Sequence, residues 1–145
     1  MKLRFMIVAF LPYSLAHAEP RYTQSDFGGV GLLQTPTARM APAGELSFNA
    51  NRTDPYSRYS LSLQPLDWLE GTFRYTAISN QKYGQESLSG NQNYKDKAVD
   101  LKVRLWQESH WLPEVAFGFL DVGGTGLFSS EYFVANKRYK NLDFS

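Results

Sequence analysis

The sequence contains no cysteine in 145 residues and only two histidines, His17 and His110. Without cysteine, this sequence has no disulfide scaffold, thiolate zinc site, cysteine nucleophile or lipobox cysteine for lipid attachment. Fifteen basic and fourteen acidic residues give a formal charge of +1, so nothing in the composition attracts nucleic acid. After residue 18 no apolar run approaches the roughly 18 residues of a spanning helix.

Residues 1–18 have the features of a secretory signal peptide. Lys2 and Arg4 precede the apolar run FMIVAFL at residues 5–11, and Ala16-His17-Ala18 forms a small-x-small cleavage site. Pro12 ends the apolar run too early for a membrane anchor. The sequence therefore predicts export with cleavage after Ala18, and an exported chain without cysteine fits a bacterial envelope.

From residue 45 onward, apolar and polar residues alternate with the period of two that is typical of β-strands. Residues 131–138 fit either a short strand or one helical turn. The short connections Thr53-Asp54-Pro55 and Pro65-Leu66-Asp67 favour antiparallel pairing, and residues 79–96 are predicted to form a solvent-exposed loop. The predicted fold is all-β, an antiparallel meander, with six strand candidates at residues 45–51, 58–64, 69–77, 99–105, 115–119 and 140–145.

Alternation alone does not say which face of the sheet is covered. A soluble sandwich buries its apolar face, whereas an outer-membrane barrel turns that face to lipid and its polar face to the lumen. Aromatic residues near predicted strand ends favour the barrel, because such barrels carry aromatic girdles at both interfaces. The candidate interface aromatics are Tyr59, Trp68, Tyr75, Trp106 and Trp111.

About six strands are too few to close a membrane barrel, for which about eight is the minimum. The sequence also stops within an alternating run, at Asp143-Phe144-Ser145. We therefore expect residues 45–145 to be an incomplete barrel domain, the N-terminal portion of an outer-membrane β-barrel. Residues 19–44 are expected to be an extended segment containing glycine and proline, either tucked into the barrel mouth or serving as a flexible linker.

Six short segments occur in an ordered series along the chain, namely SDFGGVGLLQTPTARM at residues 25–40, GEL at 44–46, PLDWLEG at 65–71, KAVDLK at 97–102, PEVA at 113–116 and YFVANK at 132–137. This series resembles the YjbH/WbfB family of exopolysaccharide- and capsule-associated proteins. The resemblance implies an outer-membrane β-barrel protein several times longer than this chain, without assigned catalytic residues, that acts in export or surface assembly of the polymer.

No catalytic, cofactor-binding or metal-binding residues are predicted. His110 is a lone histidine beside a turn, and a transition-metal site needs more ligands. A glycosidase needs only two carboxylates, but the pairs Asp67 with Glu70 and Glu108 with Glu114 lie at predicted turns with no apolar pocket. A carbohydrate-cleaving enzyme that depends on Glu70 or Glu114 is thus the weakest alternative.

The alternation and the aromatic residues favour a non-enzymatic outer-membrane barrel segment, and the family resemblance implies that it takes part in exopolysaccharide or capsule export. Its expected partners are outer-membrane lipid, the exopolysaccharide chain and other envelope secretion components. A soluble periplasmic β-sandwich that binds glycan is the alternative. The side chains expected to face the lumen and offer charges and hydrogen bonds to a hydrated glycan are Arg58, Glu70, Arg74, Asp100, Lys102 and Arg104.

Overall fold

A computed structural model describes residues 22–145, so the predicted signal peptide at residues 1–18 lies outside the described residues. Almost all of the regular structure is β. The elements are β1 (Gly31–Leu32), β2 (Thr35–Pro36), β3 (Leu46–Thr53), β4 (Tyr56–Leu66), β5 (Leu69–Lys82), α1 (Glu86–Ser89), β6 (Asn93–Trp106), β7 (Glu114–Leu120), β8 (Ser130–Tyr139) and β9 (Leu142–Phe144).

Strands β3 to β9 form one sheet in which every strand lies beside its sequence neighbours, and every pairing is antiparallel. The sheet curls into a half-barrel, while β1 and β2 form a separate two-stranded hairpin. This confirms the predicted all-β antiparallel meander. No helix among residues 22–145 has the length and apolar character needed to cross a membrane.

The connections between strands differ in length at the two ends of the sheet. One end, which we call the loop end, carries the connections at residues 54–55, 83–92 and 121–129. The other, the turn end, carries those at residues 67–68, 107–113 and 140–141. Strand β3 begins at the turn end, so the chain enters the sheet from that side.

Some element boundaries differ from those expected from the sequence. Residues 131–138, which fitted two conformations, belong to strand β8. The predicted loop at residues 79–96 is shorter, because β5 runs to Lys82 and β6 starts at Asn93 with few apolar residues in either extension. The predicted turn at residues 65–67 moves to Asp67 and Trp68, beyond a register shift between Leu63 and Leu66.

Polar side chains are buried on the concave face of the sheet, and apolar side chains are exposed on the convex face. Leu61 and Phe73 are 45% and 48% exposed, whereas Arg74 and Thr76 are 0% exposed. The buried hydrophobic residues are few, namely Val30, Ala38, Met40, Ile78, Ala98 and Ala116. This is the reverse of a soluble sandwich, in which the apolar faces of two sheets pack together.

Candidate functional site

Residues 23–43, which we call the inner segment, lie across the concave face. At the β4 side, the Ser62 hydroxyl donates to the carbonyl of Gly28 at 2.8 Å. At the β8 side, the Asn136 side-chain oxygen accepts from the backbone N–H of Ala38 at 2.6 Å. The segment therefore spans the sheet from its early strands to β8.

Glu70 and Lys102 form a buried ion pair beneath the middle of the inner segment. Lys102 Nζ lies 3.0 Å from Glu70 Oε1, and it also donates to the carbonyls of Val30 and Arg39 at 3.0 Å each. Glu70 Oε2 accepts the backbone N–H of Val30 at 3.0 Å. Both charges are thus matched by each other and by the inner segment, which meets the requirement for burying ionised groups.

Phe27 inserts between two arginines on the concave face. The guanidinium carbon of Arg58 lies 5.1 Å, and that of Arg74 4.8 Å, from the centroid of the Phe27 ring, within cation–π range. Arg74 also lies 3.3 Å from Asp100. In both arginines Nε and Nη1 are buried and make no hydrogen bond to the described residues. The aromatic ring therefore replaces part of the water that would otherwise solvate these cations.

Arg39 is a site residue that the sequence did not predict. Its guanidinium lies 2.7 Å from a carboxylate oxygen of each of Glu108, Glu114 and Asp143. Glu114 also binds Arg104 at 3.2 Å, so this predicted lumen residue belongs to the same cluster. An arginine within the mostly apolar segment TARMAPA at residues 37–43 carries no pattern of its own, and only the fold brings it to three carboxylates that are distant in sequence.

The charges around Arg39 shift the titration of two groups outside the strands. Burial works against the charged form of Arg39, but hydrogen bonds to Asp143, Glu108 and Glu114 outweigh it and raise its pKa above the ordinary value. Burial likewise opposes ionisation of Glu108, yet hydrogen bonds from the Arg138 N–H and from Arg39 lower its pKa below the ordinary value. Each side chain therefore holds the other in its charged form.

The structure thus brings the six predicted lumen residues together on the concave face, against the inner segment or its carboxylate partners. Arg58, Glu70, Arg74, Asp100 and Lys102 are buried there, and Arg104 is half-buried. Glu70 and Lys102 bind each other and the inner segment, Arg74 binds Asp100, and Arg104 binds Glu114. Arg58 and Arg74 contact the inner segment through the Phe27 ring. Contact between these residues and a glycan stays a prediction.

The five predicted interface aromatics lie in two groups. Tyr59 and Tyr75 are register partners on β4 and β5, with ring centroids 6.5 Å apart. Trp68, Trp106 and Trp111 are exposed at the turn end, where Trp106 Nε1 donates to the Pro113 carbonyl at 2.9 Å. Tyr75 sits in the middle of β5 because that strand extends further than the sequence indicated. Contact of these rings with lipid headgroups also stays a prediction.

On the convex face, the apolar area ends toward the loop end at a line of charged side chains, and this line runs obliquely across the strands. The first outward charges met there are Arg52 on β3, Lys97 on β6 and Glu131 on β8. Through the strand register these positions align with Ala77, Tyr75 and Gly71 of β5, respectively. The border therefore shifts by six residues along the strands over the five strand intervals between β3 and β8.

Glu70 and Glu114, on which the enzymatic alternative depends, are each paired with basic side chains. Glu70 binds Lys102, and Glu114 binds both Arg39 and Arg104. Among residues 22–145, no three histidine, aspartate or glutamate side chains are placed to hold a metal ion. The arrangement therefore holds the inner segment in place by charge, and it leaves neither carboxylate free of a basic partner.

Comparison with known proteins gives one family and one close relative. Residues 23–145 match the family described as "Exopolysaccharide biosynthesis protein YbjH". The protein named "Uncharacterized lipoprotein YjbH" of Escherichia coli (strain K12) is 60% identical over 124 residues. That match covers 85% of this chain and 18% of the relative, so the chain spans less than a fifth of the relative's length. No solved structure matches the chain.

Proposed function

The chain belongs to the YjbH family of exopolysaccharide biosynthesis proteins, and from this premise we propose that residues 22–145 form part of the wall of an outer-membrane β-barrel. In this proposal the barrel takes part in export or surface assembly of an exopolysaccharide and has no catalytic role. The observation that carries the proposal is the inverted sheet, with charged side chains inside and apolar side chains outside.

The inverted sheet supports a lipid environment on energetic grounds. Apolar surface costs about 25 cal/mol per Å² when it stays in water, and large exposed apolar areas are rare on soluble monomers. The exposed convex side chains include Phe48, Leu61, Phe73, Leu101 and Phe133, which come from five different strands. Contact with hydrocarbon removes this cost without a second protein layer.

The oblique border supports a tilted arrangement of strands in a flat membrane. Six residues at about 3.3 Å each give a shift of about 20 Å along the strands, and five strand spacings of about 4.8 Å give about 24 Å across them. A level membrane surface would then meet the strands at a tilt of about 40°. Strands of outer-membrane barrels tilt by about 35–45°, so the outward charges follow the line that such a surface would take.

The inner segment would occupy part of the lumen of such a barrel. It covers Glu70, Lys102, Arg74 and Asp100, so a polymer in the lumen would meet the segment before it met these wall residues. The segment therefore narrows the passage and shields strong charges that would hold a polar polymer too tightly. A conduit needs such weak, distributed contacts.

The relative supplies further context for this proposal. It is named a lipoprotein, and neither that name nor the family description specifies a reaction. Since the chain spans less than a fifth of that protein, we propose that further strands close the barrel. The exopolysaccharide chain and other envelope secretion components are proposed as partners of the closed barrel.

Cell fractionation tests the proposed location. We expect the chain to be recovered with the outer membrane, to resist extraction by carbonate and urea, and to dissolve in detergent. Release by osmotic shock would contradict the proposal and favour the soluble glycan-binding sandwich. Extraction by urea would also contradict it, because aggregated chains dissolve in urea and inserted strands do not.

Deleting the coding region tests the proposed role in export. We expect less exopolysaccharide at the cell surface, with the polymer retained inside the envelope. An unchanged amount of surface polymer in a strain that otherwise makes it would contradict the role while leaving the proposed location intact.

A further inference from the structure

The oblique border of the convex face is positively charged where it crosses strands β3 to β6. Its outward charges there are Arg52 on β3 and Lys95 and Lys97 on β6. Glu131, the outward carboxylate of the same border, lies on β8, two strands beyond β6. The three carboxylates within strands β3 to β6 are buried on the concave face, namely Glu70, Asp96 and Asp100.

The three border cations are available to an anion outside the chain. Lys95 and Lys97 are exposed, and within residues 22–145 neither forms an ion pair. Arg52 lies 3.1 Å from Asp54, but the two side chains are 72% and 77% exposed, and ion pairs at the surface contribute little. Arg52 can therefore exchange Asp54 for another anion at small cost.

Three rows of outward side chains follow one another from this border toward the turn end. The first row has a cation at each end and consists of Arg52, Ser57, Ala77 and Lys95. The second row joins two aromatic rings to a cation and consists of Tyr59, Tyr75 and Lys97. The third row is apolar and consists of Leu61, Phe73 and Val99. The convex face thus presents charge, then tyrosine rings, then apolar side chains.

This order matches a lipid whose headgroup is a phosphorylated sugar. Phosphate forms strong, charge-assisted hydrogen bonds with lysine and arginine. Tyrosine suits the boundary between a polar headgroup and acyl chains, because its ring is apolar and its hydroxyl is polar. Arg52 and Lys95 lie three strand spacings apart, or about 14 Å across the sheet. That separation favours a headgroup with two separate phosphates over one with a single phosphate.

We propose that the cationic part of the border binds lipid A, the glycolipid of the outer leaflet that carries a phosphate at each end of a disaccharide. One phosphate would contact Arg52 and the other Lys95 and Lys97, while the acyl chains would lie on the apolar row. The proposal rests on the proposed function, and on the loop end facing the cell exterior. Outer-membrane barrels carry their longer loops on that side, and the connections at residues 83–92 and 121–129 lie at the loop end.

Native mass spectrometry of the 145-residue chain tests lipid binding directly. The chain is kept in micelles of lauryldimethylamine oxide, a detergent that has no phosphate and no sugar. The probes are hexa-acylated lipid A, the same lipid with both phosphates removed, and phosphatidylglycerol, which has one phosphate and no sugar. We expect lipid A to bind at least about tenfold more tightly than either of the other two lipids.

Variants then locate the binding. We expect the double variant Lys95→Gln, Lys97→Gln to weaken lipid A binding at least about tenfold, and Arg52→Gln to weaken it about fivefold. Lys140→Gln is the matched control, because Lys140 is an exposed lysine at the turn end, and it should leave the binding of lipid A unchanged. All four side chains are exposed, so we expect every variant to fold.

Three results would overturn the lipid A site. They are equal binding of the lipid without phosphates, equal binding of phosphatidylglycerol, and binding unchanged in the double lysine variant. Digalacturonic acid is a fourth probe, since an acidic polymer would meet the same cations. If it binds through Lys95 and Lys97 while lipid A does not, the border recognises the polymer and the proposal is wrong.

These outcomes are separate from those of the proposed function. Failure of lipid A to bind does not alter the membrane location measured by fractionation. Conversely, a chain that is released by osmotic shock and still binds lipid A through its lysines would overturn the proposed barrel and leave the recognition of lipid A standing.

Discussion

Gly28 determines how closely the inner segment approaches the sheet. Its φ is +103°, a region that side chains rarely adopt, and a Cβ there would collide with the Ser60 side chain and lie 3.0 Å from Thr72 Cγ2. The segment thus needs glycine at this position for two separate reasons. One is the backbone angle, and the other is the contact with β4 and β5.

Comparing the loss of stability in Gly28→Ala with that in Gly44→Ala separates the effect of the backbone angle from the effect of close packing. Gly44 also has a positive φ, +86°, but a Cβ there meets nothing within 4 Å. In both variants the strained backbone angle is expected to lower the free energy of unfolding by about 1–2 kcal/mol. Only in Gly28→Ala is a steric clash with the sheet expected to lower it further, by about 1–3 kcal/mol. Urea unfolding in detergent, followed by tryptophan fluorescence, measures both. Equal losses in the two variants would show that the inner segment does not pack closely at Gly28.

The Arg39 cluster makes the attachment of the inner segment depend on pH. The folded-state pKa of Glu108 lies below its ordinary value, so its contribution to stability is complete above about pH 5 and is lost as the pH falls through the lowered pKa. We expect acidification to increase hydrogen exchange at residues 37–40, and Glu108→Gln to increase it already at pH 7. Glu131→Gln, which changes an exposed carboxylate on β8, is the control. Identical exchange in the two variants at pH 7 would contradict this coupling.

The position of a residue on the convex face determines how strongly a new charge there destabilises the inserted chain. Leu101 lies outward on β6, within the apolar area, whereas Ser57 lies on β4 in the register row of Arg52, at the charged border. For the chain inserted in lipid vesicles, we expect Leu101→Arg to reduce the free energy of unfolding by about 2–4 kcal/mol and Ser57→Arg by about 0–1 kcal/mol. Titration of the vesicle-bound chain with guanidinium chloride, a stronger denaturant than urea, measures both losses. Similar losses for the two variants would show that the convex face does not contact hydrocarbon.

The strands were predictable because the alternation of side chains along a strand is a local property. Residues such as Phe73 and Arg74 fall on opposite faces wherever the strand lies. The role of the inner segment was not predictable to the same degree, because its contacts are long-range. Ala38 and Asn136 are 98 residues apart in sequence, and no local pattern marks Arg39 as the partner of three carboxylates. Strand β8 stayed ambiguous because its inward positions include both Val134 and Asn136.

The unequal lengths of the connections at the two ends of the sheet predict how the domain is oriented in the proposed membrane. Outer-membrane barrels carry short turns on the periplasmic side and longer loops outside. The connections at residues 83–92 and 121–129 both lie at the loop end, and the chain enters β3 from the turn end. The loop end is therefore expected to face the cell exterior.

Single cysteines test this orientation, and the 145-residue sequence contains no cysteine that would give background. On intact cells we expect a membrane-impermeant maleimide to label Leu88→Cys, since Leu88 is 86% exposed at the loop end. We expect His110→Cys, at the turn end, to be labelled only after the outer membrane is permeabilised. The opposite pattern would reverse the orientation, and labelling of both positions on intact cells would argue against a membrane-spanning sheet.

The path of the inner segment also implies an order of folding. Its residues come before every strand of the large sheet, yet their last anchor, Asp143, lies in β9. Contacts so distant in sequence form slowly, because the intervening chain must first lose its conformational freedom. The part of the domain that is synthesised first would thus be the last to form its native contacts. Before that step, the polar interior of the newly formed sheet would still be filled with water.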